Sequence, residues 1–449
     1  MHDPPLDQVT EWGEESDHYI DLLEQACSHP FPPGRAEDLP FMRLTLDAVH
    51  VTSRPLLWYL IVLGIDTVTH LSLRFAGLHH YPTRGLFRSF PPQPLTLFTR
   101  CRSPSPNLSY WYRPHRSPNK DPIVLMHGIG IGLFAYISLL RDIVRADPDR
   151  GLVVVEILPV SMRIMLPFSR PLFSPRAFCE DLITILEHHS FIYPPSVTAY
   201  SSTHTNSITI IGHSFGTFLA GHILRHPAFS HSFSPSLPPS PLSASATSVI
   251  SISKLILLDP IPFLLFHPAL VHNFVYRVPG AWKANEWMIW YFTSRDVSVA
   301  ALLARGFFWA GGVMWKEDIL PDGDAEVGDV LAKKTDMKTL VVLAGRDQII
   351  ATPLVWSYLT NGAALELPDS GSIASSSATQ TAGLLSSFND GESIQWVDHS
   401  TDPTEVGPGP SAQHQPTLKV VMHHGLDHAQ LLLSRKSYGV VVDLLQADD

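Results

Sequence analysis

Ser214 stands in Gly212-His213-Ser214-Phe215-Gly216, with the apolar run "SITII" before it and a helix-compatible run after it. A serine in a tight strand-to-helix turn is forced into strained backbone geometry that lifts its Oγ above the sheet edge, and the small flanking Gly212 and Gly216 relieve the crowding. The next N–H then lies at a helix N-terminus, where developing negative charge is favoured. Nucleophilic attack by Ser214 is the chemistry this pattern predicts. A glycine-bracketed structural turn is the alternative.

A serine nucleophile needs a base, and the base needs an acid to orient it. Asp347 follows "LVVLAG" in a Gly-Arg-Asp turn and is the expected acid, with Asp259 at the end of "LILLD" as its rival. The last apolar run, "LKVVMHHGLDH", offers three histidines. His428 lies in the turn before the terminal helix and is the expected base; His424 is the alternative, while His423 is still inside the run. Another run, "PIVLMHGIG", ends in His127-Gly128-Ile129-Gly130, whose glycines admit close backbone approach. The N–H groups of Ile129 and Phe215 are the expected donors to an oxyanion. The histidine cluster has no cysteine nearby and one flanking carboxylate, Asp427, so no metal site is expected, and this chemistry requires no cofactor.

Such residues have to be carried by strand ends. Short apolar runs recur at 94–100, 108–113, 122–128, 151–159, 207–212, 254–260, 339–347 and 418–424, with helical candidates between them, such as 132–146 and 178–189. Several runs are nearly continuous in apolar residues, as in strands buried on both faces of a parallel sheet. Strand–helix alternation of this kind predicts a three-layer α/β architecture. Residues 230–253 and 368–416 are rich in Ser, Pro and Gly and read as exposed, disordered loops. Between two core runs, 261–338 reads as a cap over the sheet edge or as an ordinary core excursion. Thirteen of its first sixty residues are Phe, Trp or Tyr, which suits a pocket for an apolar substrate.

The order His-Gly-Ile-Gly, Gly-His-Ser-Phe-Gly, Gly-Arg-Asp, Leu-Asp-His resembles the α/β-hydrolase superfamily over about 91–260 and 339–449. That resemblance implies an eight-stranded, mostly parallel sheet flanked by helices, with a cap inserted after the sixth strand. "SRPLLWYLIVLGIDTVTHLSL" followed by "LSYWYRPH" is also similar to a group of fungal α/β-hydrolase proteins with an apolar leader. Two departures stand out: the 368–416 insertion stretches the Asp347–His428 interval to 81 residues, and Leu-Asp precedes His428 where glycine is more usual. A serine hydrolase cleaving an ester-type bond of a small apolar or lipid-like substrate is the expected function. An acyltransferase or thioesterase on the same triad, and a non-catalytic interaction protein, are the rivals.

The 449-residue chain is 45% hydrophobic, which suits a large core, and carries a net charge of −11 with no long basic run. That balance argues against a nucleic-acid partner. Three scattered cysteines form no disulfide framework, and the acidic N-terminus lacks the pattern of a secretory signal. A cytoplasmic location, or the cytosolic face of an intracellular membrane, is expected rather than secretion. Within 1–90, the segment 54–78 has an apolar part of about ten residues, short of the roughly twenty that span a bilayer. Asp66, His70 and Arg74 then recur every four residues and would share one helix face. A spanning helix, an interfacial helix on a membrane surface and a helix packed on the protein all remain open.

Overall fold

The computed structural model describes residues 6–32, 34, 42–85, 88–117, 120–165, 174–192, 206–229, 250–320, 337–363, 392–397 and 418–447. Two units divide the chain, Met1–Arg43 and Leu44–Asp449. The first holds helix α1 (Leu6–Cys27). The second begins, after an extended stretch, with α2 (Leu56–Phe75), which Pro55 opens where its missing N–H costs no helix hydrogen bond.

The strands of the second unit are β1 (His79–Tyr81), β2 (Ser89–Phe90), β3 (Ser109–Arg113), β4 (Ile123–Met126), β5 (Leu152–Glu156) and β6 (Ile164–Met165). They continue with β7 (Ser207–His213), β8 (Ser251–Leu258), β9 (Lys338–Ala344), β10 (Glu392–Val397) and β11 (Leu418–His423). Nine of them form one sheet in the order β1-β3-β5-β4-β7-β8-β9-β11-β10, and β2 pairs with β6 apart from it. Strands β5, β4, β7, β8, β9 and β11 run parallel; β1, β3 and β10 join antiparallel at the two edges.

Apolar continuity in these strands has a direct cause. Val153 and Val155 face one hydrophobic layer with Val124, Met126, Ile210 and Leu257, whereas Leu152 and Val154 face the other with Ile123, Leu125, Ile256 and Val342. Both layers are buried, so the period-two pattern of a half-exposed strand disappears. Helices α4 (Pro175–His188) and α5 (Phe215–Arg225) close the first layer; α3 (Ile137–Ala146) and α7 (Arg435–Gln446) close the second.

Two expectations need correcting. The run at 94–100 is no strand: Pro94–Phe98 is a 3-10 helix, and the edge strand is His79–Tyr81. Pro91, Pro92 and Pro94 offer no N–H to a ladder, and Leu97 and Phe98 point outward. Inside 368–416, residues 392–397 are not loop but β10, adding a ninth strand to the sheet. Alternating Ser393, Ile394, Gln395 and Trp396 suit a half-exposed edge, and Lys419 of β11 lies over the Trp396 ring. The rest of that segment and residues 230–249 lie outside the described residues; Ser251, Ile252 and Ser253, also expected as loop, begin β8.

Between β8 and β9, the described residues 261–320 form short helical turns and one longer helix, α6 (Val297–Arg305). Asp296 caps α6 by accepting from the N–H groups of Ser298 and Val299. Phe263, Leu265, Val299, Leu302 and Phe307 join the layer that holds Phe215 and Phe218. Polar ties reach strand-end loops as well: Asn273 Nδ2 donates to Ile349 O, and Asn285 Nδ2 to Asp427 Oδ2.

Candidate active site

Strand β7 ends and α5 begins at Ser214, whose φ of 50° and ψ of −117° only a tightly held turn sustains. Its N–H donates to Leu258 O, and its carbonyl accepts from the N–H and hydroxyl of Thr217. Helix α5 crosses β4 so closely that a Cβ at Gly216 would lie 2.2 Å from Met126 O. Glycine is therefore required there by packing.

His428 Nε2 lies 2.8 Å from Ser214 Oγ, and His428 Nδ1 lies 2.6 Å from Asp347 Oδ2. The other Asp347 oxygen, Oδ1, accepts from the N–H groups of Ile349 and Ile350, which fixes the carboxylate. His428 and Asp347 bury nearly all of their side chains, at 9% and 1% exposure. Burial by itself pushes the imidazole down. The adjacent Asp347 charge and hydrogen bond, with the charges of Asp259 and Asp427, outweigh it and hold His428 up at about 9.

Asp427 places the histidine loop. Its Oδ1 accepts from Gln348 N and His428 N, and its Oδ2 from Gln348 Nε2 and Asn285 Nδ2. The rivals lie elsewhere. Asp259, fully buried, accepts from Ala344 N through Oδ1 and from Ala429 N through Oδ2, so it holds the residue after His428 rather than His428 itself. His424 Nε2 sits 2.7 Å from Ser393 Oγ on β10, away from Ser214, and His423 Nδ1 lies 3.1 Å from Glu392. Donor atoms of Asp259, Asp347 and His428 come within 4.8 Å of one another, close enough for a metal set. Each of the four carboxylate oxygens already accepts an N–H, so the cluster fits a hydrogen-bond network.

The loop after β4 is built just as closely. A Cβ at Gly128 would meet Ser214 Cβ at 2.7 Å, so only glycine allows this approach. Gly128 N–H donates to Tyr136 Oη, and Gly130 N–H to Val160 O. Ile129 N–H has no hydrogen bond among the described residues. His127 Nδ1 donates to Gly128 O while its Nε2 accepts from Ile157 N; burial pushes this imidazole down to about 4, so it stays neutral in that role. Tyr136 Oη in turn donates to His213 Nδ1 at 2.6 Å, and His213 Nε2 faces Asp259 Oδ2 at 3.6 Å. Sequence reasoning missed Tyr136 and Asp427 in these roles: Tyr136 lies in an ordinary amphipathic stretch, and Asp427 differs from a capping residue only through its partners.

No protein-family model and no curated protein matches the chain. Solved structures that it resembles include a bacterial membrane phospholipase A, 12% identical over 87% of this chain and 94% of that one, with a TM-score of 0.41. A carboxylesterase of the thaumarchaeon Nitrososphaera gargenis is 14% identical over 77% and 98%, TM-score 0.35. A bromoperoxidase from Bacillus anthracis is 12% identical over 76% and 96%, TM-score 0.36. These likenesses say nothing of substrate; the fold rests on the strand order and the turn. Read from that order, with its antiparallel second strand, its parallel core and a strained serine turn after the fifth strand, the chain has the α/β-hydrolase fold.

Proposed function

We propose that the protein is a serine hydrolase that cleaves an ester-type bond of an apolar substrate through an acyl-enzyme. One observation carries the reading: Ser214 Oγ, His428 Nε2 and Nδ1, and Asp347 Oδ2 form a continuous chain of 2.8 and 2.6 Å contacts on a strained turn. Ser214 Oγ attacks the carbonyl carbon as its proton passes to His428 Nε2. Asp347 holds the imidazolium and its tautomer. The oxyanion takes hydrogen bonds from Ile129 N–H and, at the start of α5, Phe215 N–H; each such donor is worth about 3–4 kcal/mol in the transition state. The alkoxide leaves with the His428 proton. Water then attacks the acyl carbon while giving a proton to His428, and Ser214 departs reprotonated. The aromatic, apolar composition of 261–320 supports an apolar acyl or alcohol moiety.

The test is labelling with a fluorophosphonate probe, wild type beside Ser214→Ala. Stoichiometric phosphonylation of Ser214 that disappears in the variant is expected, followed by turnover of nitrophenyl esters. A folded wild type that neither labels nor turns over any ester removes the enzyme reading. Turnover only in the presence of an acceptor alcohol or thiol would replace hydrolysis by acyl transfer.

A further inference from the structure

Helix α2 is turned the opposite way from a helix of a water-soluble surface. Leu57, Leu60, Ile61, Val68, Leu71 and Phe75 recur at three-, four- and seven-residue spacings and all point outward, with Phe75 89% exposed. They form one apolar stripe about 27 Å long. Mid-helix polar residues face the protein: Asp66 pairs with the buried Arg163, and His70 packs edge-on against Trp111 and His80. His80 and Trp111 bond the two oxygens of Glu156. Thr67 and Thr69 turn their hydroxyls back onto the helix carbonyls of Leu63 and Ile65. The outward stripe therefore carries no polar group that needs water.

We infer that α2 docks the protein on a phospholipid surface, lying in the boundary between headgroups and acyl chains with its outward face in the acyl layer. Polar-in, apolar-out patterning is what a hydrocarbon neighbour selects. The helix does not cross the bilayer, because its inner face is locked into the fold. Tyr59, Val62 and Leu73 are buried, and just before the helix Arg54 pairs with Asp296 at 2.6 Å in full burial. Extracting it would strip the buried Asp296 and Arg163 of their charge partners Arg54 and Asp66, at several kcal/mol each. Charge complementarity names the lipid: Arg74 at the helix end and Arg100 and Arg102 beside the exposed Leu97 and Phe98 are outward-facing cations. Arg102 Nη1 is bound to Thr96 O, which keeps it beside that 3-10 helix, and the helix shares a small cavity with Leu63, Thr67 and His70 of α2. Anionic phospholipid fits this rim. The inference stands apart from the hydrolase reading, since it needs no turnover.

The experiment is flotation of the full chain with vesicles of phosphatidylcholine and phosphatidylserine, and with phosphatidylcholine alone. Wild type is expected to float, more with phosphatidylserine, and to be released by alkaline carbonate. Leu60→Glu/Val68→Glu/Leu71→Glu is expected to lose tenfold or more of that binding with unchanged circular dichroism and thermal midpoint. A matching triple alanine variant, which keeps the helix, loses binding too, so a glutamate-induced unfolding leaves the test intact. Arg74→Glu/Arg102→Glu should abolish the preference for phosphatidylserine. Wild type that stays in solution with both vesicles overturns the inference, as does equal binding by the triple variants. Carbonate-resistant wild type would make α2 a spanning helix and overturn it as well. A dimer in solution that the triple variants split, without vesicle binding, would give the stripe to a second copy of the chain instead.

Discussion

Asp347, His428 and Ser214 form one carboxylate–imidazole–hydroxyl chain, and Asp259, His213 and Tyr136 form another beside it, the two imidazole rings 5.8 Å apart. Residue types match at every step except the hydroxyl. In the first chain the carboxylate sits 2.6 Å from the ring, and the imidazole is held up at about 9. In the second the carboxylate stands off at 3.6 Å; burial dominates over the pull of Asp259, and His213 is pushed down. Three carboxylates, the nearest at 2.6 Å, thus outweigh burial at one imidazole, while burial prevails at the other. The second chain ends on Gly128 N–H, so it sets the position of the loop that faces Ser214.

Breaking the first chain should have the larger effect. Asp347→Asn is expected to lower the rate of fluorophosphonate inactivation at neutral pH by on the order of 10⁴-fold, because the ring loses its tautomer and its counter-charge. Wild-type inactivation needs neutral His428, so its rate should climb as pH rises and level off above about 9. In Asp347→Asn the midpoint should move to lower pH. A wild-type profile flat from pH 6 to 10 would break the distinction between the two histidines.

Cutting the second chain should cost less. Tyr136→Phe removes the acceptor for Gly128 N–H and the donor to His213, letting the Ile129 turn drift. A roughly 10- to 100-fold drop in kcat with KM little changed is expected, measured on a nitrophenyl ester. An unchanged kcat would reduce this chain to packing. The smallest effect belongs to His424→Ala, which loses only the Ser393 contact at the sheet edge. Inactivation within about twofold of wild type is expected; a loss comparable to that of Asp347→Asn would restore His424 as the base.

Much of the fold was legible in the sequence because its signals are local. Apolar continuity marked β4, β5, β7, β8, β9 and β11, and Gly-His-Ser-Phe-Gly marked the turn. The three-residue β1 was not legible, since so short a strand has no pattern of its own. The strand β10 was hidden in a segment whose composition reads as loop, and only its partner β11 makes it a strand.

The amino-acid sequence by itself determined that a serine would sit between a buried strand and a helix, because Gly212, Gly216 and the flanking apolar runs act within a few residues. Which carboxylate and which imidazole meet that serine was decided only in three dimensions. Ala344 of β9 lies opposite His423 of β11 in the parallel register, and this pairing brings Asp347 and His428 together across 81 residues of chain. It equally leaves His424 facing the edge strand and Asp259 beneath the loop. The direction of α2 has the same origin: its sequence offers a polar and an apolar face, and the buried partners Arg163, Trp111 and His80 turned the polar one inward.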